Sequence, residues 1–424
     1  MKNKQLFDKA YSRLMEIYGG EDSTPDIAIL SRFYWEKMIL CDSELYMRYL
    51  DFLSRVRVVA KQKGEHIFVR GPVGSSFIAY LLGATDINPL PRHEYCPHCR
   101  TTKFVGTGTP FDKASIRCPC GTDVETDGHN LPFESNLKSV FSERIQFCVS
   151  RTFFDEAKAM IYDELWDKSI VTLTDGEISS TWFCILDKDT NACGDYVLNG
   201  NREIFEKFPR ITLVPDEMLD KYRELEKSTG FQMEDVGFNE QSLAFFHFME
   251  CDIQGVPHFD NGFIKDIWNT INPRSYDDLL KLIGFAHSTN VWGNNSDALF
   301  NEHRMSLREI PAFREDLYEM ISERLCLQGV HDKGFAYEVT DKAMRGYYAK
   351  TGGVDEDTMS ALLNVGFDMD FIYFLSDINY MFTKAQGVAY LRDAIAMMFY
   401  KIKFNKEYNE IILGKQNGVL LQGS

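Results

Sequence analysis

Arg70–Pro91 reads RGPVGSSFIAYLLGATDINPLP, Cys96–Cys99 reads CPHC, and Cys118–Glu134 reads CPCGTDVETDGHNLPFE. A β-like run, Ile67–Val69, enters this stretch, a glycine–serine turn follows, and Phe77–Leu82 is apolar at helical spacing, with Pro89 and Pro91 expected to end the helix. Backbone N–H groups at a helix start, approached through glycine, make an anion site. On that reading Arg70, Gly71, Gly74, Ser75 and Ser76 are candidate phosphate contacts, the two hydroxyls adding donors; the same residues also suit a tight turn with a serine N-cap. Cys96, Cys99, Cys118 and Cys120 form a C-x2-C…C-x-C pattern with eighteen residues between the pairs. Four thiolates are the usual shell of a structural zinc ion, and a loop this poor in apolar residues needs such a staple. The expected cofactor is Zn2+ in a structural role, with His93, His98 and His129 near enough to substitute; the alternative is two pairs of free thiols in a surface loop.

Working outward, the 424 residues suffice for two or three domains with substantial cores. No apolar run reaches the length of about 18 residues that a membrane span needs, so no membrane partner is expected. The start, MKNKQLFDKAYSRLMEIYGG, carries charges throughout and reads as an amphipathic helix, not a secretory leader. Ten cysteines then fit a reducing cytoplasm, with thiols free or on metal. A net charge of −17 sets a bulk field that repels DNA, so a nucleic-acid site needs a local basic groove.

Residues 1 to about 65 read as helices, Ser31–Met38 and Glu44–Val58 most clearly. Residues 93–134 form the cysteine module, β-like runs recur at Ile170–Leu173, Thr181–Leu186 and Ile211–Val214, and from about 236 the pattern is helical. The expected fold class is α+β and predominantly helical, with an α+β domain over 1–235 that holds the module and an all-α domain over 236–424.

The run Arg70–Glu134, together with YMFTKAQGVAY at Tyr380–Tyr390, resembles the palm and fingers of the PolC-type DNA polymerase III alpha subunit. That family carries Gly-Ser-Arg-Gly-Ser-Val-Gly-Ser-Ser at the turn, where this chain has Phe68-Val69 for the leading pair and Pro72 for the middle serine. Residues 252–301 resemble the fingers through Gly255, Pro257, Phe259, Pro273, His287, Thr289, Val291, Trp292 and Asn294 or Asn295. The resemblance implies a palm-like domain with a four-cysteine zinc module, then a fingers-like domain in which Lys384 contacts phosphate and Tyr390 stacks on a base. Arg392, Lys401 and Lys403 follow at helical spacing; a solvated helix face is the simpler reading, and an extension of a basic face the alternative.

The family holds two metal ions on three carboxylates, two of them in Pro-Asp-Ile-Asp-Leu-Asn-Phe-Ser. Here Glu143–Ser150 takes that place, so Arg144 and Gln146 stand at the two aspartate positions and no third is found. Glu143, Asp155 and Glu156 read as solvated acids, and magnesium is left without ligands. The expectation is a degenerate, non-catalytic relative of the polymerase, with primer–template DNA or a replication protein as its partner. The alternatives are a polymerase piece active only with other subunits and an acidic protein-interaction scaffold.

Overall fold

The computed structural model describes residues 2–20, 24–105, 111, 116–175, 180–186, 208–237, 242–244, 252–296, 300–302 and 305–414. By contacts the chain divides into two units. The first comprises Met1–Pro110, Ala114–Gly237 and Phe399–Ser424; the second comprises Phe111–Lys113 and Phe238–Met398, so the division falls inside the helix Lys384–Lys403.

The first unit is mixed α+β. Three helices, Lys2–Tyr18, Ile27–Leu40 and Glu44–Gln62, lead into β1 (Ile67–Arg70). A 3-10 turn, Gly71–Ser75, then opens the short helix Phe77–Leu82. That helix stops at Gly83 in the left-handed conformation (φ 81°), earlier than Pro89 and Pro91. A glycine with a positive φ ends a helix before a downstream proline can act.

A small antiparallel sheet follows, in the order β3–β2–β4, from β2 (His93–Tyr95), β3 (Thr102–Phe104) and β4 (Glu125–Asp127). The main sheet adds β5 (Arg144–Val149), β6 (Ser169–Asp175), β7 (Ser180–Leu186) and β8 (Arg210–Pro215) in the order β1–β5–β8–β7–β6. β5 and β8 are parallel, and the other neighbours are antiparallel. The helix Phe154–Glu164 lies in the connection after β5, and Glu217–Thr229 follows β8, capped by Asp216, whose carboxylate accepts from the Met218 amide at 3.0 Å.

Side chains alternate across a strand, so each sheet face has its own composition. Ile145, Phe147, Val149, Ile211, Leu213, Phe183 and Ile185 join one apolar cluster with Phe33, Tyr49, Phe52, Leu53 and Phe77 of the helices. The opposite face carries Trp182 and Cys184, packed with Val171, Leu173 and Phe208, beside Arg70, Arg144, Gln146, Arg210 and Thr212 in register.

The second unit is helical among its described residues, from Gly262–Ile271 and Tyr276–His287 through Arg314–Leu327 and Lys333–Met344 to Met369–Asp377. Ser275 and Asp278 form a reciprocal capping box at the start of the second of these. Among the described residues, no helix is long and apolar enough to cross a membrane.

Gly128 shows how tightly the segment after the cysteines is set. Its φ is 92°, and a Cβ there would lie 2.5 Å from the Pro91 carbonyl oxygen and 2.9 Å from His93 Nδ1. Gly128→Ala is expected to destabilise the first unit by roughly 3 kcal/mol or more. Urea unfolding followed by far-UV dichroism checks this, and an unchanged midpoint would contradict the close approach.

Candidate functional site

The cysteine pairs sit on two matched turns. Cys96 N–H donates to the Thr101 carbonyl at 3.0 Å, and Cys118 N–H donates to the Thr122 carbonyl at 2.9 Å. The residue after each second cysteine has a positive φ, 59° at Arg100 and 89° at Gly121. Each closes its turn onto the first cysteine's carbonyl at 2.8 Å. The residue missing from C-x-C is therefore absorbed by the turn, and the bite survives.

All four sulfurs lie within 4.8 Å of one another. Cys96 Sγ is 3.6 Å from Cys120 Sγ, and Cys118 Sγ is 3.9 Å from Cys99 Sγ. A tetrahedral ion with metal–sulfur bonds near 2.3 Å has edges of about 3.8 Å, so zinc fits this donor set. The Cys99 amide also points at Cys96 Sγ from 3.3 Å, a donor suited to a thiolate. With four protein ligands, no coordination position is left open for chemistry.

His93 and His129 do not join this cluster. His93 Nδ1 donates to the Pro91 carbonyl at 2.7 Å, so Nε2 accepts from the Tyr18 hydroxyl at 3.0 Å. Tyr18 in turn accepts from Asn88 Nδ2 at 2.7 Å, and Asn88 also donates to Asp127 Oδ2 at 2.7 Å. The Tyr80 hydroxyl reaches the same oxygen at 3.3 Å, and the Gly128 amide donates to Oδ1 at 2.7 Å. Burial holds His93 below its ordinary pKa, which matches the neutral ring that this pattern requires. His129 is buried, and its amide is paired with the Asn88 carbonyl. His98 Nδ1 lies 3.8 Å from Cys99 Sγ, at the edge of the cluster.

The glycine turn is filled from inside. Ser75 and Ser76 are fully buried. Glu36, also fully buried, accepts from the Phe77 amide at 2.9 Å, the Ile78 amide at 3.1 Å and Ser76 Oγ at 2.8 Å. Ser76 Oγ caps the Ala79 amide, and Ser75 Oγ accepts from Ser135 Oγ at 2.8 Å. The amides expected to meet a phosphate already hold a carboxylate, and a phosphate there would have to displace Glu36. Arg70 instead projects on the sheet face, 3.9 Å from Asp216.

Arg144 lies on β5 opposite Arg210 of β8, and Gln146 lies between Arg70 of β1 and Thr212 of β8. Asp155 and Glu156 are in the first turn of the following helix, Glu156 paired with Lys63 at 2.7 Å, and Glu143 precedes β5 with φ 48°.

In the second unit, Lys384 Nζ is paired with Asp316 at 2.9 Å, and its amide donates to Glu315 Oε2 at 2.8 Å. Glu315 is fully buried and also accepts from Thr383 and Arg314. Tyr390 is buried, its ring stacked on His258 at 3.5 Å and 3°, and its hydroxyl accepts from Gln386 at 2.7 Å. Both residues expected to meet nucleotide or DNA are thus engaged inside their own unit. Trp292 is a core aromatic, 4.8 Å from Phe285. Lys401, of the expected basic face, belongs to the first unit, where it is buried with its ammonium 5.8 Å from the Tyr408 ring centre. The Asn294 and Asn295 side chains lie outside the described residues.

Sequence reasoning passes over Glu36, Asp127 and Arg210. Glu36 has a signal: it falls on the stripe Ile29, Phe33, Glu36, Leu40, a helical spacing where an acid must have buried partners.

Residues 216–327 match the family model for the bacterial DNA polymerase III alpha subunit finger domain. DNA polymerase III of PolC type from Streptococcus agalactiae is 22% identical over 485 aligned residues, covering 95% of this chain and 32% of the relative. The protein of the same name from Thermotoga petrophila is 23% identical over 472 residues, covering 93% and 34%. That from Caldanaerobacter subterraneus is 23% identical over 424 residues, covering 82% and 30%. The chain is thus related to the PolC-type DNA polymerase III alpha subunits over most of its length, as the motifs implied, and it spans about a third of these relatives' length.

Two substitutions test this geometry. Cys96→Ser is expected to bring bound zinc from one equivalent to near zero and to lower the melting temperature by about 5 °C or more. Atomic absorption and calorimetry measure both, and wild-type zinc content in the variant would dismiss the four-thiolate centre. Glu36→Ala removes the carboxylate that meets Arg32 Nε and two amides and is expected to cost roughly 3–5 kcal/mol in denaturant unfolding; a loss below about 1 kcal/mol would show that the carboxylate is dispensable.

Proposed function

We propose that this chain is a non-catalytic relative of the PolC-type polymerase that keeps a palm-like unit and a fingers-like unit for binding, with DNA or a replication protein as its partner. One observation carries the reading. On β1, β5 and β8 the sheet face away from the helical core bears Phe68, Arg70, Arg144, Gln146, Cys148, Arg210, Thr212 and Val214, and no carboxylate within the strands; a single one, Asp216, follows β8 and lies 3.9 Å from Arg70. Nucleotidyl transfer by two metal ions needs clustered carboxylates, because Mg2+ takes hard oxygen ligands in octahedral geometry. Guanidinium groups repel such an ion.

Zinc belongs to this proposal as a structural ion at Cys96, Cys99, Cys118 and Cys120, and magnesium has no place on the sheet. In the proposal Ser75, Ser76, Lys384 and Tyr390 support the shape of their units, and Arg70 is the turn residue left to meet an anion. The net charge of −17 favours a second reading, in which a protein partner replaces DNA.

Zinc-loaded protein, given primer–template, nucleotides and Mg2+ or Mn2+, is expected to show no extension; metal-dependent extension above a no-protein control would end the non-catalytic reading. In parallel, the anisotropy of a labelled primer–template is expected to rise with protein at low salt and to fall back steeply as salt is added. No binding at low salt would remove DNA as the partner and leave the protein reading.

A further inference from the structure

We propose that the four-cysteine centre is also a site of oxidative modification, at which peroxide joins Cys96 to Cys120 in a disulfide that takes over the metal's structural role. The inference goes beyond the proposed function and rests only on its four-thiolate centre. The two sulfur pairs in closest described contact are Cys96–Cys120 at 3.6 Å and Cys99–Cys118 at 3.9 Å, and each joins one cysteine turn to the other. A disulfide holds its sulfurs at about 2.0 Å, so Cys96 and Cys120 have to approach by about 1.6 Å. Cys118 and Cys120 are separated by one residue, and a bridge between them would close a small, strained ring.

Exposure separates the four. Cys120 is exposed, Cys99 and Cys118 are half-buried, and Cys96 is buried. Zinc ligation keeps the sulfurs deprotonated, and peroxide attacks thiolates from solvent, so it arrives first at Cys120. The Cys99 amide donates to Cys96 Sγ from 3.3 Å and stabilises that sulfur as a thiolate. One sulfur is thus open to solvent and the other is held charged beside it, as an attacked thiol and its resolving partner need to be. In the first step the Cys120 sulfur takes one peroxide oxygen as the O–O bond breaks, giving a sulfenic acid and hydroxide. In the second, Cys96 thiolate attacks that sulfur, the S–S bond forms and the S–O bond breaks, releasing a second hydroxide. Two protons from solvent turn both hydroxides into water; the two sulfurs are oxidised and the peroxide is reduced. The ion, left with Cys99 and Cys118, departs as aquated Zn2+. The bridge joins ends that the small sheet already sets side by side: Cys96 follows β2, Cys120 precedes β4, and Tyr95 of β2 is the partner of Glu125 of β4. It links positions 24 apart, and closing that loop covalently restricts the unfolded chain as the ion did. On the same strands, His93 and Asp127 keep their hydrogen bonds to Tyr18 and Asn88. The oxidised module therefore stays closed after the metal has left.

The test treats reduced, zinc-loaded, full-length protein with hydrogen peroxide and stops the reaction with catalase. A chromogenic chelator reads the zinc released, and peptide mass spectrometry without reduction maps the disulfides. Expected are release of the bound zinc, a linked Cys96–Cys120 peptide, and reversal by dithiothreitol with added zinc. Metal-free oxidised protein is expected to melt about 5 °C or more above metal-free reduced protein. Cys120→His, which keeps a zinc ligand but removes the exposed sulfur, is expected to lose zinc at least tenfold more slowly. Cys41→Ser/Cys326→Ser, which removes the described exposed thiols outside the module, is expected to behave as wild type. Three results overturn the site: zinc retained at peroxide levels that oxidise Cys41 and Cys326, release with sulfinic acids and no disulfide, or a bridge that leaves Cys96 or Cys120 out. The wild-type disulfide map decides between these outcomes even if Cys120→His binds no zinc. Reduced protein that carries no zinc but still forms the Cys96–Cys120 bridge removes the metal and keeps the modification site, so the two failures are separable.

Discussion

The buried pair Glu36 and Arg32 is the interaction on which the first unit depends. Arg32 Nε meets Glu36 Oε1 at 2.5 Å, while its Nη2 donates to the Ser75 carbonyl at 2.7 Å and the Leu131 carbonyl at 3.0 Å. Glu36 in turn holds the first amides of the helix Phe77–Leu82 and the Ser76 hydroxyl. One ion pair thus joins three segments far apart in sequence: the second helix, the glycine turn and the loop after the cysteine module. A buried charge pair is tolerated only when its remaining donors and acceptors are satisfied, and here the helix start and two carbonyls satisfy them. The same arrangement sets an internal carboxylate where the turn is expected to meet an external anion. A helix N-terminus attracts an anion, and the nearest anion belongs to the protein itself.

The segment between the turn and the main sheet follows the same logic. Tyr18, Asn88, His93 and Asp127 form a chain of hydrogen bonds that ends on the Gly128 amide. The loop amides of His129, Asn130 and Leu131 pair with the carbonyls of Asn88, Leu90 and Pro89. DGHNLPFE is therefore a structural cassette. Asp127 satisfies donors, Gly128 permits the approach, and Phe133 packs its ring edge against Trp35 at 5.5 Å.

What is legible in the sequence is what local rules govern. The cysteine cluster is readable because two closely spaced pairs are enough to bring four sulfurs together, and Ile67–Val69, Ile170–Leu173, Thr181–Leu186 and Ile211–Val214 are readable as strands from β-branched and aromatic residues. The end of the helix at Gly83 escapes because a proline signal further along outweighs a glycine already in place. The side chains of Ser75, Ser76, Lys384 and Tyr390 suggest a ligand, yet Ser76, Lys384 and Tyr390 meet Glu36, Asp316 and His258, which are 40, 68 and 132 residues away. Nothing in a local window shows which of two acceptors, internal or external, a donor will meet. Arg210 is invisible for a related reason. It gains meaning only once β8 is laid parallel to β5, and strand order is a long-range property.

Residues that shape a fold and residues that carry chemistry on it are under separate physical constraints. Gly128 and Glu36 are held by close contacts and buried hydrogen bonds, so their replacement is expected to be felt as lost stability. Arg144, Gln146 and Thr212 are on the sheet face away from the main core, and exchanging a carboxylate for arginine or glutamine at a half-buried position of such a face leaves the apolar packing of Ile145, Phe147 and Val149 untouched. The electrostatic consequence is nevertheless complete. A face lined with carboxylates concentrates cations, and one with arginines in register concentrates anions, through the same low-dielectric surroundings that strengthen either field. In a chain of net charge −17, such a face is a local exception. The overall charge and the character of one sheet face are thus separate quantities, and only the second is set by strand register.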